Sequence, residues 1–347
     1  MIEELEYYSI PAISNSSLAS INPEQGGSPA MFKKEILDRD GDNTPKLSFE
    51  NGKIVHKYVE NKDAFVVSEF EKPTDTIALW VLRVFAVLPK TVNADNFIDQ
   101  LDLIKIIALD QRDGAYGKFK DETALNKFVN EGMDYISYLF LERGDSIIMT
   151  PAQKEMMDGI ITSIDACPGA YKLLFDKPEF GSTDVQKNEE AIYWKREVSI
   201  PGSEDVVEMN MKSLLDRFIL KFVDGGIQVY LIDFKTTGGK IPLFGGAFKG
   251  YRYYRQLAFY TDAIIAYIEQ NYPDFTGGID FTYYIVAVET HGLYQCRVLK
   301  ISQKWIGKGT QEMERLLRSI AYHQSTGQWS RTHEEVEEGF IVLPFEE

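Results

Sequence analysis

With 347 residues, 44% of them hydrophobic and 26% charged, the chain can hold one large or two ordinary domains around a sizeable core. Two cysteines, Cys167 and Cys296, are too few for a four-cysteine iron–sulfur cluster, and their lack of CxxC spacing argues for a reducing compartment over a disulfide scaffold or zinc site. A net charge of −16 speaks against a nucleic-acid partner only as a sum, because phosphate binding depends on where the positive charge lies.

In chain order, the acidic start Met-Ile-Glu-Glu-Leu-Glu lacks the basic and apolar regions of a signal peptide. The most apolar run, Ile77 to Leu88, is short and contains Arg83, so no membrane association and a cytoplasmic location are expected. Ile13–Leu18 and Ser28–Leu37 carry helix-start chemistry, the second with a serine cap followed by Pro29. Asp38, Asp40 and Asp42 imitate the first positions of a calcium loop. Asn43 and Phe49 stand where that loop needs glycine and glutamate, so the stretch reads as a solvated turn. Gly52, His56 and Glu60 recur every four residues and would line one helix face.

Apolar periodicity predicts helices over 77–88, 93–108, 122–142 and 152–175, an accessory layer without a chemical motif. From Glu190 the period changes to that of strands. Strands follow at 191–200, 209–222 and 227–235, then a loop, a helix over 251–270, a hairpin 281–289/293–301 and a helix capped by Ser302. The order predicts an α/β fold with a mixed central β-sheet flanked by helices and a helical N-terminal accessory region. We expect a single domain over 1–347: a mainly helical part to 180 that contributes His56, a core over 181–330 and an acidic tail over 331–347.

The strands 209–222 and 227–235 carry the chemistry. Asp224-Gly225 between them reads as a two-residue type I′ turn, which pairs Val223 with Gly226 and sets Asp216 opposite Asp233. Alternation puts Lys235 on the same face. Their neighbours are apolar, and two carboxylates facing each other in such a setting repel. Either one takes up a proton or a cation sits between them, most simply a hard divalent ion. Downstream, no acidic residue occurs between Asp233 and Asp262, while Lys235, Lys240, Lys249, Arg252 and Arg255 are basic. An acidic chain can therefore present a basic cleft. Tyr251, Tyr253, Tyr254 and Phe259 in this stretch are candidates to stack on bases, with core packing the competing use.

Asp216, Asp233-Phe-Lys235 and Gln256-Leu-Ala-Phe-Tyr260, in that order, resemble the PD-(D/E)xK nuclease superfamily, in particular its RecB-like and RecE-like exonuclease branch, often phage-encoded. That branch carries GxxxHxxxE, matched by Gly52, His56 and Glu60, and a GxxD-like strand, here Ser213-Leu-Leu-Asp216 with serine in place of glycine. The resemblance implies a restriction-endonuclease-like core and a DNA exonuclease of recombination, repair or replication that uses Mg²⁺ or Mn²⁺. It implies metal ligands at Asp216, Asp233, His56 and the Phe234 carbonyl, with Lys235 as the catalytic lysine. Gln256, Tyr260 and a glutamate, Glu190 or its neighbour Glu189, would support the site. Lys240, Lys249, Arg252 and Arg255 would contact duplex DNA. A homo-oligomer, a single-strand annealing partner and host cytoplasm follow from the same likeness. The competing reading is a nuclease fold kept as a DNA-binding or scaffold module without turnover. A two-carboxylate glycosidase leaves Lys235 and the basic stretch unexplained.

Overall fold

The computed structural model describes residues 7, 10–40, 54–58, 65–68, 75–112, 116–143, 147–177 and 182–340. It divides into two compact units, one of residues 53–159 and one of residues 1–52 with 160–347. The division falls elsewhere than the change from helical to strand periodicity near residue 180. Gly52, Glu60, most of the aspartate-rich turn and the final residues 341–347 lie outside the described residues.

The smaller unit holds strand β1 (Phe65–Val67), helices α1 (Asp75–Val87), α2 (Leu101–Asp110) and α3 (Asp121–Arg143), strand β2 (Ile147–Met149) and the start of α4 (Pro151–Asp165). The two short strands, which lie between the helices expected from sequence, pair in parallel, Phe65 with Ile147. The core centres on Trp80, whose ring meets Tyr116 at 5.0 Å and Phe128 at 4.8 Å. Its indole N–H donates to the Ala108 carbonyl at 2.9 Å, so a buried donor satisfies one of the open carbonyls at the end of α2. Residues 94–100, predicted as helix, form turns. The Asn93 side chain accepts from the N–H groups of Asp95 and Asn96, a local bond that competes with the helical ladder.

In the larger unit, α5 (Pro168–Phe175) is separate from α4 because Cys167, held before a proline, is extended at φ −112°. Five strands form one sheet in sequence order: β3 (Val185–Ser199), β4 (Val206–Val223), β5 (Gly226–Thr237), β6 (Gly278–Glu289) and β7 (Cys296–Ile301). All neighbours are antiparallel except β5–β6. That parallel step requires a crossover, made by α6 (Phe244–Gly250) and α7 (Tyr253–Asn271). After β7 come α8 (Gln303–Thr326) and α9 (His333–Glu338). This is the mixed α/β architecture expected. Leu215, Phe218 and Leu220 of β4 pack with Leu257, Ala258 and Ile264 of α7. Met209 and Met211 pack with Phe259 and with Met313, Leu316 and Ile320 of α8.

Several local expectations change. Val223 does pair with Gly226, but only Gly225 of the two loop residues has positive φ, 82°, so the turn is not type I′. The sheet continues across it: the Gly225 carbonyl accepts from Gly278 N–H at 3.1 Å. Ser28 caps its helix by accepting from Met31 N–H, whereas Ile13 belongs to a bridge with Met211 and only Ser17–Ala19 turn helically. Ser302 occupies the N-cap position of α8 without a side-chain cap bond. The segment taken as an acidic tail opens with α9, whose Thr332 and Glu335 form a capping box.

Candidate active site

The site forms where β5 leaves β4. Their ladder runs from Val223–Gly226 to Arg217–Ile232 and stops, one step before Asp216 and Asp233 would pair. Beyond it β5 keeps only its β6 partner, through Thr237–Glu289. Farther along the vacated edge of β4, Ile13 takes over: its N–H donates to Asn210 and its carbonyl accepts from Lys212 N–H, both at 2.8 Å. A notch remains over 213–216.

Two further distortions aim side chains into that notch. On β4 the inward-facing residues are odd-numbered through Met209, Met211 and Leu215, then even-numbered at Phe218 and Leu220. On β3, Glu189 has φ 44°, a left-handed conformation that few non-glycine residues adopt. The pairs Asn188–Arg217 and Glu190–Leu215 flank Glu189 and Asp216. Both strands change phase at one level, and carboxylate oxygens of Glu189 and Asp216 come within 4.8 Å of each other.

Asp216 Oδ2 accepts from Phe234 N–H at 2.8 Å, replacing the backbone bond lost where the strands part. Because a strand residue points its N–H and C=O to the same edge, the Phe234 carbonyl faces the notch as well. Asp233 is fully buried, and its Oδ1 accepts from Lys235 Nζ at 2.6 Å. Lys235 Nζ also lies 3.9 Å from Asp216 Oδ2. The positive charge between the two aspartates is thus the chain's own ammonium. Burial pulls the Lys235 ammonium down, but the charges of Asp233 and Asp216 and the bond to Asp233 outweigh it, and its pKa is raised. Two carboxylates around one lysine, with the Glu189 carboxylate beside Asp216, make an acidic, oxygen-rich centre, the donor chemistry that hard divalent cations select.

Helix α7 backs this centre. Gln256 Nε2 donates to the Tyr260 hydroxyl at 2.6 Å, one turn away as expected from the spacing. Burial, then the charges of Asp216 and Asp233, raise the Tyr260 pKa well above its usual value and keep it a neutral donor. Tyr253 lies over Lys235, with Nζ 5.3 Å from the ring centroid.

Other expected residues go elsewhere. Glu190 turns away and pairs with Lys187 at 3.4 Å, so Glu189 is the glutamate beside Asp216. Arg255 is buried at 1% exposure and donates to Glu312, Gln25 and Asn15. Arg252 donates to Glu24 at 2.6 Å and to the Tyr254 hydroxyl at 2.9 Å. These two cations tie α7 to α8 and to the N-terminal segment instead of facing solvent. Tyr254 and Phe259 are core residues. Lys240 and Lys249 are exposed and have no ion pair among the described residues. His56 lies on a helical segment, 54–58, of the smaller unit, half-buried beside the buried Val55 and Tyr58. No sequence signal pointed to the strained backbone at Glu189 or to Glu312, because both depend on strands and helices brought together by the fold.

The fold and site therefore define a mixed α/β protein with an Asp–Asp–Lys centre on the opened edge of a central hairpin. No protein-family model matches the chain, and no curated protein matches it. Among solved structures, it is similar to a candidate exonuclease from Eubacterium rectale, with 11% identity and a TM-score of 0.43, over 100% of this chain and 96% of that one. It is also similar to SSO0001, with 10% identity and a TM-score of 0.23, over 78% of this chain and 84% of that one. Likenesses at these scores carry no argument about activity. No helix among the described residues is long and apolar enough to cross a membrane.

Proposed function

We propose that the chain is a metal-dependent deoxyribonuclease of the PD-(D/E)xK kind, acting as an exonuclease on linear duplex DNA. The observation that carries this reading is the bridge of Lys235 Nζ between Asp233, at 2.6 Å, and Asp216, at 3.9 Å, at the point where β4 and β5 separate. A lone structural ion pair needs one carboxylate. Two aspartates with Glu189 beside them exceed that need and suit phosphodiester chemistry.

Mg²⁺ or Mn²⁺ would supply phosphate neutralisation and a more acidic water, and Glu189, Asp216, Asp233 and the Phe234 carbonyl are the groups that would hold it. Phe234 N–H fixes the orientation of Asp216. Lys235, held as an ammonium, offers its protons to oxygen on which negative charge builds at the phosphate. Tyr260, itself oriented by Gln256, steadies the carboxylates from α7. By its GxxxHxxxE motif, His56 would be a further ligand. The exposed Lys240 and Lys249 supply the backbone contacts to DNA.

Incubation of linear duplex DNA with Mg²⁺ tests the reading. Wild type should degrade it, and Asp233→Ala and Lys235→Ala should each slow the reaction by about 100-fold or more. Degradation that persists in both variants would remove the assigned residues.

A further inference from the structure

Beside the lysine runs a column of aromatic rings that the hydrolytic chemistry does not use. Tyr253 lies over Lys235, and its ring stacks on Phe244 at 5.9 Å and on Tyr251 at 5.7 Å, with interplanar angles of 24° and 28°. Phe244 is buried and Tyr253 half-buried, but Tyr251 is 67% exposed. A single exposed tyrosine is ordinary. This one ends a stacked column that begins at Lys235. It also sits in the acid-free stretch of an otherwise acidic chain, two residues beyond the exposed Lys249. Gly245, Gly246 and Gly250 on α6 have open space where a Cβ would stand, so this surface of the helix is bare among the described residues.

We propose that Tyr251 is a stacking platform for an unpaired nucleobase, so that the substrate engaged at this centre is a frayed or single-stranded DNA end. The inference rests on the nuclease reading above and names its substrate form. An exposed ring offers a base one bare face, and a base can use it only where its own face is uncovered. Bases inside a duplex are stacked on both sides, whereas a terminal or single-stranded base is not. Because Tyr253 touches both Tyr251 and Lys235, a base stacked on Tyr251 is held within a nucleotide or two of the phosphate at the lysine. Lys249 supplies positive charge for the backbone of that strand. Tyr251 thus positions the end, and Lys235 acts on it.

The test uses oligonucleotides with 2-aminopurine at an unpaired end or at an internal paired position, without divalent cation for binding and with Mg²⁺ for turnover. Wild type should quench the unpaired probe and leave the weak emission of the paired probe, already quenched by its stacked neighbours, unchanged. Tyr251→Ala should abolish the quench, weaken binding of frayed ends by about 5- to 100-fold and raise KM more than it lowers kcat. Tyr251→Phe and Tyr251→Trp, which keep a ring, should restore both, whereas Tyr251→Leu should not. Quenching and affinity unchanged in Tyr251→Ala would overturn the platform while leaving the nuclease reading intact. Equal quenching of the paired probe would do the same. Quenching that depends on Tyr251 without cleavage would overturn the nuclease reading and keep the platform. A folded wild type that binds no DNA would end both.

Discussion

Glu189 and Glu190 are neighbours in sequence and opposites in role. Strand alternation alone would put them on opposite faces, and sequence cannot say which one faces the aspartates. The positive φ of Glu189 and the phase change on β4 decide it. Glu189→Gln should therefore weaken divalent-cation binding by about tenfold, as seen by calorimetry, on the scale of losing one oriented ligand group. Glu190→Gln, which removes only the contact with Lys187, should leave that affinity unchanged. The reverse result would return the site to Glu190. Arg255 teaches the same lesson from the other side. Its place in a basic, acid-free stretch suggested DNA, yet it is spent on Glu312, which lies far downstream at a position no local pattern connects to it.

Among the elements, α7 and α8 cross so closely that Gly309 has no room for a side chain. A Cβ there would lie 2.2 Å from the Tyr254 carbonyl oxygen, a backbone atom that cannot swing aside. Gly309→Ala should destabilise the fold by about 1–3 kcal/mol or more, read as a lower denaturation midpoint, because overpacking against backbone forces the helices apart. An unchanged midpoint would mean that the crossing is looser than the structure has it. The crossing was invisible in sequence, where Gly309 is one of two glycines in an amphipathic run. The hairpin was far more legible. Asp-Gly fixed its register, and period-2 patterning placed Asp233 and Lys235 on one face, as found. The opening of the ladder at Arg217–Ile232 and the use of the vacated edge by Ile13 were not legible, since they join segments about two hundred residues apart that share no local pattern. The paired strands β1 and β2 escaped for a similar reason: three-residue segments are too short to show a period.

At the scale of the whole molecule, the end of the larger unit carries a pH dependence separate from the active site. His323 is fully buried, and its Nδ1–H donates to the Gln328 carbonyl. Its Nε2 has no hydrogen-bond partner among the described residues. Burial lowers its pKa, the Gln328 carbonyl and Glu334 oppose the shift, and His333 adds to it. A histidine with a lowered folded-state pKa contributes stability that is complete above its unfolded value, about 6.5, and is lost as pH falls below it. Thermal melting between pH 7.5 and 5 should fall more steeply for wild type than for His323→Gln, which keeps a donor but cannot be protonated. Parallel slopes would show that His323 is not the group responsible.

The larger unit gathers its acidic centre from β3, β4 and β5 and backs it with α7, and the claim that follows is that this centre turns over DNA with a divalent cation. The rate of nucleotide release from end-labelled linear duplex, followed as Mg²⁺ is raised from zero, tests that claim most directly, with wild type measured beside Asp216→Asn. Wild type should show no release in chelator and saturable activation by Mg²⁺, and the variant a plateau slower by about 100-fold or more. Equal release with and without divalent cation, an Asp216→Asn plateau equal to wild type, or no release by folded wild type at any Mg²⁺ concentration would contradict it.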